Sequence, residues 1–273
     1  MDRTRPVGGV TPVVSNAQKR FWMDAILLRK IRAAVTPRNW LLHTRLANGA
    51  LVAGYNRAGW GGRGIYIFRD APEPELASLG CFLRPGFVFV DIGANVGAFS
   101  MKAAKEVGES GLVIAVEPFI ESARQLARNI NRNHFRNCRV LNLCIAKTTG
   151  QMKFYLNQKK PNSFGIVQSS ADVESISVLG VSLDDLCAWE KIVRLDYLKI
   201  DAEGAESMIL EGGTRAIGEF RPIIQVEVFL TRSDLPKGYC RFSKPTSGNN
   251  LFIPSERVDA IEIAKAQGFA QIL

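Results

Sequence analysis

The run Phe87-Val88-Phe89-Val90-Asp91-Ile92-Gly93-Ala94-Asn95-Val96-Gly97 constrains this chain more than any other stretch. Four apolar residues lead into an acid, and two glycines follow with an Asn between them. A short unbroken apolar run reads as a parallel strand buried on both faces. The glycines mark a tight turn at which backbone approaches another group closely. Residues 98–107 then carry a helical pattern. A strand, a glycine loop and a helix in succession form the entry to a nucleotide-type cofactor site.

Downstream the same alternation repeats. Strands are expected at Leu112–Val116, Arg139–Cys144, Tyr197–Ile200, Ile223–Val226 and Leu251–Ile253, with helices at Ile120–Asn131, Leu183–Trp189, Ala205–Ile217 and Ser255–Gln267. Residues 151–180 read as short strands around a polar loop. Such alternation predicts an α/β fold, a mostly parallel sheet with helices on both faces. Upstream, residues 1–70 read as a basic N-terminal extension, with 71–273 as the main domain. The extension has a flexible start, an amphipathic helix over 17–35 closed by Pro37, and a hairpin that pairs Leu51–Tyr55 with Ile65–Phe68. A helix precedes the opening strand at 73–83.

Composition narrows the class. The chain has 273 residues, 47% of them hydrophobic and 22% charged, enough to bury a sizeable core. Five cysteines, widely spaced and without a C-x-x-C pair, support neither a metal site nor a disulfide framework. Reduced thiols in a cytoplasm are the expectation. No stretch resembles a signal peptide or a membrane span. A net charge of +9, concentrated in the first 70 residues, is compatible with nucleic acid, an anionic membrane or an anionic substrate. The helix over 17–35 is a candidate for peripheral membrane contact. Packing on its own domain or in a homodimer is the favoured reading.

The loop itself discriminates among cofactors. A dinucleotide fingerprint places Gly where Asn95 stands, so that backbone reaches a pyrophosphate. No Gly-Lys-Ser/Thr is present, which removes the P-loop. Asp91 at the strand end repels phosphate and suits a cationic ligand. S-adenosylmethionine, with an ammonium, a sulfonium and no phosphate, fits better than NAD or ATP. Asn95 tolerates the left-handed backbone of such a turn. Glu117 ends the next strand, before Pro118, where an acid accepts hydrogen bonds from both ribose hydroxyls. Asp201, Glu203 and Glu206 cluster where the strand ending at Ile200 meets its helix. Carboxyl ends of strands line the crevice, so Asp201 and Glu203 belong near the reacting centre. Glu206 reads as a first-turn helix acid.

Five strings together resemble the FkbM-type methyltransferases: Asp91 to Gly97, Val116-Glu117-Pro118, Ser182 to Leu186, Lys199-Ile200-Asp201-Ala202-Glu203-Gly204-Ala205-Glu206, and Pro222 to Glu227. The resemblance spans roughly residues 80–230. It implies a class I S-adenosylmethionine-dependent methyltransferase, a Rossmann-like fold with a seven-stranded sheet. It also implies methyl transfer to a hydroxyl of a sugar, glycolipid or natural product.

Within that frame Asp91, Gly93, Ala94, Asn95, Gly97, Glu117, Pro118, Asn142 and Asp201 are the candidate cofactor residues, Asn142 or backbone standing in for the missing adenine-binding acid. Asp201, Glu203 and Glu227 are the candidate catalytic carboxylates. Asp201 and Glu227, ending neighbouring strands, serve as base and orienter or together hold a divalent ion such as Mg²⁺. His134 and His43 are weaker base candidates. Trp60 and the loop Asn162-Ser163-Phe164-Gly165 are candidate cofactor- or acceptor-facing elements. An RNA methyltransferase using the basic arm and a non-catalytic scaffold are the competing readings.

Overall fold

The computed structural model describes residues 16–57, 61–71, 73–156, 164–167, 173–227 and 237–272. The chain opens with α1 (Asn16–Val35), the hairpin β1 (Leu41–Arg45) and β2 (Leu51–Tyr55), α2 (Gly62–Phe68) and α3 (Pro74–Phe82). Alternation begins with β3 (Val88–Ile92), α4 (Ala98–Val107), β4 (Leu112–Val116), α5 (Ile120–Arg132) and β5 (Cys138–Leu141). Three further strands, β6 (Cys144–Ala146), β7 (Gly150–Leu156) and β8 (Glu174–Ser182), precede α6 (Leu183–Trp189). Then come β9 (Tyr197–Ile200), α7 (Glu206–Glu211), α8 (Thr214–Phe220), β10 (Ile223–Val226), β11 (Tyr239–Ser243), β12 (Asn250–Pro254), α9 (Val258–Ala266) and β13 (Ala270–Ile272).

The main sheet runs β13-β11-β12-β10-β9-β3-β4-β5. Its strands from β10 to β5 are parallel, while β12, β11 and β13 pair antiparallel. The sheet therefore has eight strands rather than the expected seven, because the apolar C-terminal tail adds β13 along the edge of β11. β6, β8 and β7 form a separate three-stranded sheet. Neighbouring residues of β3 point to opposite faces: Phe89 joins the core under α3, α4 and α5, and Val90 joins the core under α6, α7 and α8. Both are fully buried, as an all-apolar strand between two helix layers requires.

Two N-terminal expectations change. The hairpin is β1 with β2, Leu41 opposite Tyr55 and Arg45 opposite Leu51. Ile65–Phe68 is helical, although its residue types favour strand. Local packing decides this. A Cβ on Gly62 would lie 2.3 Å from the Gly54 carbonyl carbon, so the chain crosses β2 at glycine-on-glycine distance and turns into α2. Nor does the segment from 41 onward stand apart from the main domain. Leu46, Ala50, Val52 and Ile65 belong to the core under α4 and α5. Among the described residues α1 lies largely outside: it buries Ala33 and part of Ile26, while Leu27, Leu28 and Ile31 face solvent. The single helix expected over 205–217 is two, divided at Gly212-Gly213. A Cβ on Gly212 would lie 2.3 Å from the carbonyl oxygen of Ala146, which pins that break against β6.

Candidate active site

β3 is flanked by β4 on one side and β9 on the other, so the strand order reverses there. Crevices at such a switch point, beyond the carboxyl ends of the strands, bind ligands. Here that position holds a cavity of about 690 Å³, lined by residues 92–96, 116–119, 201–203 and Glu227. The size suits a drug-sized cofactor.

The glycine loop forms one wall. Gly93 N and Ala94 N each donate to the Val116 carbonyl at 3.0 Å, tying the loop to β4. Gly93 has φ +73°, and a Cβ there would lie 1.8 Å from the Asp201 carbonyl oxygen. Only glycine combines that torsion with that approach. Asn95 is left-handed at φ 52°, as its residue type allows. Its backbone N–H donates to Glu117 Oε2 at 2.7 Å, and its buried Oδ1 has no hydrogen-bond partner among the described residues.

Glu117 is buried at the end of β4, with Oε1 accepting from Phe119 N at 2.8 Å. Desolvation pushes its carboxyl up to about 7, against the pull of the two backbone N–H groups. Each oxygen keeps lone pairs for further donors. Pro118 lines the same wall, and Phe119 meets Phe164 edge-on at 5.0 Å.

Three expected cofactor residues do not line the cavity. Asp91 is completely buried, accepting from Ser100 Oγ at 2.5 Å with Lys199 Nζ 3.4 Å away. Its charge orients a neighbour instead of a ligand. Gly97 caps α4 in a left-handed conformation, and a Cβ there would lie 2.2 Å from Leu126 Cδ1. Its task is packing. Asn142 Nδ2 donates to the carbonyls of Glu117 and Pro118 at 2.9 Å each, so it braces the loop that carries Glu117.

At the opposite end the acids converge. Ile200 pairs with Val226 in register, so Asp201 and Glu227 leave adjacent strand ends together. Asp201, Glu203 and Glu227 each offer an oxygen within 4.8 Å of the others. Desolvation, then repulsion from Asp201 and Glu206, raises Glu203 to about 7. Desolvation and Asp201 raise Glu227 likewise. Three hard oxygen donors also fit a divalent cation in kind. Glu206, in the first turn of α7, accepts from Ala202 N and Gly204 N at 3.2 Å each and so ties the preceding turn to the helix.

Two residues here were not legible in the sequence. Lys199 is buried between Asp201 at 3.2 Å and Asp91, with Phe99's ring centroid 5.0 Å away. Burial alone would lower its pKa, but Asp201, Asp91 and Glu73 outweigh that and hold it firmly charged. Glu73, just before α3, is raised by desolvation. Both border a smaller recess of about 240 Å³ that adjoins the acids and reaches the loop at Thr246–Asn249. α2 was missed as well: Arg63, Ile65 and Phe68 line the cavity, as does Arg57. Phe164 and Gly165 line it too, while Asn162, Ser163 and Trp60 lie outside the described residues. Neither histidine does. His43 contacts Arg132, and burial followed by that cation lowers its pKa, while His134 is exposed beyond α5.

A glycine loop after the first parallel strand, an acid ending the second and a cavity at the switch point define the class I methyltransferase fold. The family description "Methyltransferase FkbM domain" matches residues 91–242, more than half of the chain. The chain belongs to the FkbM methyltransferase family. It is also similar to ribosomal RNA large subunit methyltransferase E of Xylella fastidiosa (strain M23), 33% identical over 85 residues. That match covers 31% of this chain and 39% of the relative's length. Among solved structures, methyltransferase FkbM from Methylobacillus flagellatus KT is 16% identical, covering 70% of this chain and 52% of that one at a TM-score of 0.43. The putative methyltransferase yhhF from Escherichia coli is 11% identical, covering 77% and 96% at a TM-score of 0.45.

Proposed function

We propose that this enzyme methylates a hydroxyl oxygen of a small acceptor, a sugar, glycolipid or natural product. The observation that carries this reading is the trio Asp201, Glu203 and Glu227 at one end of the cavity, two of them titrating near neutrality. A hydroxyl is a weak nucleophile, and a carboxylate with a pKa near the working pH is a suitable base for it.

Bound S-adenosylmethionine supplies an electrophilic methyl group on sulfur. The chain fits that cofactor in three respects. Glu117 can accept from both ribose hydroxyls, and the unpartnered Asn95 Oδ1 can accept from the ammonium. Pro118, Phe119, Cys144, Ile145 and Phe164 offer an apolar slot for adenine. Lys199 stays charged and holds the Asp201 side chain in place at 3.2 Å. Asp201 then orients the acceptor hydroxyl. Glu227, at the adjacent strand end, would take that hydroxyl's proton; the bound cofactor would supply the methyl group to the oxygen and leave as its thioether. In-line positioning supplies much of the acceleration.

The test is methyl transfer from labelled cofactor into fractions of a cell extract. Label should enter the glycan, lipid or small-molecule fraction. Label confined to RNA would establish the RNA reading, for which the ribosomal RNA methyltransferase similarity and the Arg57/Arg63 wall speak. With an acceptor in hand, Asp201→Asn should cut kcat about 100-fold or more while changing cofactor affinity little. Full activity in that variant would remove Asp201 from the chemistry. Turnover that is lost to EDTA and restored by Mg²⁺ would assign the trio to a cation instead.

A further inference from the structure

α1 presents an apolar face that nothing in the described structure covers. Met23, Leu27, Leu28, Ile31 and Val35 are each between 53% and 77% exposed. At about 100° per residue these five fall within an arc of roughly 140°. Lys30 borders one edge of the arc and Arg32 the other, both exposed. The helix meets the protein along the opposite side, where Ala33 and Ile26 pack with Leu42, Ile67, Tyr66 and Phe68. Just beyond the helix, Arg38 is exposed and Trp40 is 62% exposed. An apolar arc edged by cations and followed by an exposed Trp is the pattern of a helix lying in a bilayer interface.

Charge selects the occupant. Between Asp24 and Asp70 the chain has no acidic residue and carries seven Arg and one Lys. Asp24 is the arc's one acid, near its N-terminal end. A second copy seated on this face would oppose cation to cation, with almost no carboxylate to answer them. Anionic headgroups supply the missing charge. We propose that α1 docks this enzyme on an anionic lipid surface, its apolar arc entering the headgroup boundary. α2 packs directly on α1 and lines the cavity, so docking brings the cavity's α2 wall close to the membrane. This inference goes beyond the assignment of the acceptor oxygen and does not depend on it.

Cosedimentation of the full chain with vesicles tests it. The protein should partition onto mixed phosphatidylglycerol–phosphatidylcholine vesicles and not onto phosphatidylcholine alone, and added salt should release it. The double variant Leu27→Glu, Ile31→Glu should lose about tenfold or more of that partitioning. Both side chains are exposed, so its thermal midpoint and S-adenosylmethionine affinity should match the parent. Absence of partitioning, or equal partitioning by the variant, would overturn the proposal. A concentration-dependent dimer in light scattering, broken by the same variant and without vesicle binding, would assign the face to a second copy and overturn it equally.

Discussion

Single side chains set the chemistry of this site, and Glu227 shows how. An exposed glutamate titrates near 4.3. Here desolvation and the charge of Asp201 push it up, as desolvation pushes Glu203 to about 7. A base must be ionised to act, so turnover at saturating cofactor should rise with pH through about 7 and then level. In Glu227→Gln the rising limb should shrink along with kcat. A pH-independent kcat in the parent would contradict the carboxylate base. Much of this was readable in advance. Glu117, Asp201 and Glu227 each stand directly after a short apolar strand, and strand ends in a parallel sheet face the crevice. Asp91 defeats the same rule. It lies one residue inside β3, where its carboxyl meets Lys199 and Ser100 and no cavity. Lys199 went unread because a lysine in a strand suggests a solvated face. Only the fold brings Asp91, Asp201 and Glu73 around it.

At the scale of elements, α5 does work for β2 that no periodicity reveals. Asn129 Oδ1 accepts from Ala53 N at 3.0 Å, and its Nδ2 donates to Ala53 O and Val96 O at 2.9 and 2.8 Å. One turn later Asn133 makes the same pair of bonds to Leu51. Two asparagines thus replace a neighbouring strand along the free edge of β2, and Asn129 also clamps the glycine loop. Asn129→Leu leaves buried backbone groups without partners and should cost about 2–4 kcal/mol, read as a lowered denaturation midpoint. A midpoint within error of the parent would show that β2 holds its place without the clamp. The regular βα units were legible because strand and helix periods differ. α2 was not, since its Ile-Tyr-Ile-Phe run reads as strand until Gly54 and Gly62 are seen in contact. β13 escaped notice for the opposite reason: three residues are too few to carry a period.

Across the whole molecule, the N-terminal segment is joined to helix α4 of the methyltransferase domain by a buried ion pair. Lys102 Nζ of α4 lies 2.6 Å from Asp70 Oδ2 and donates to Ala77 O at 3.1 Å, while Asp70 Oδ1 accepts from Ala47 N at 3.0 Å. Lys102→Met strands the buried Asp70 charge and should cost about 3–5 kcal/mol, with Asp70→Asn in the same chain restoring part of it. Unfolding in urea measures both, and additive losses would deny the coupling. Cofactor binding draws on every scale at once, since the glycine loop, the β4 end and the sheet switch point must all be in place. Titration calorimetry of the free enzyme with S-adenosylmethionine, across pH, is the direct test. In the proposed cofactor pose ribose hydroxyls would donate to ionised Glu117, whose carboxyl in the free protein lies at about 7. Binding should therefore be one-to-one, release protons, and tighten about tenfold from about pH 6 to about pH 8. Glu117→Gln should bind roughly 10- to 100-fold more weakly, with that pH dependence gone. Absence of binding by the parent, or an unchanged affinity and pH profile in Glu117→Gln, would contradict the account.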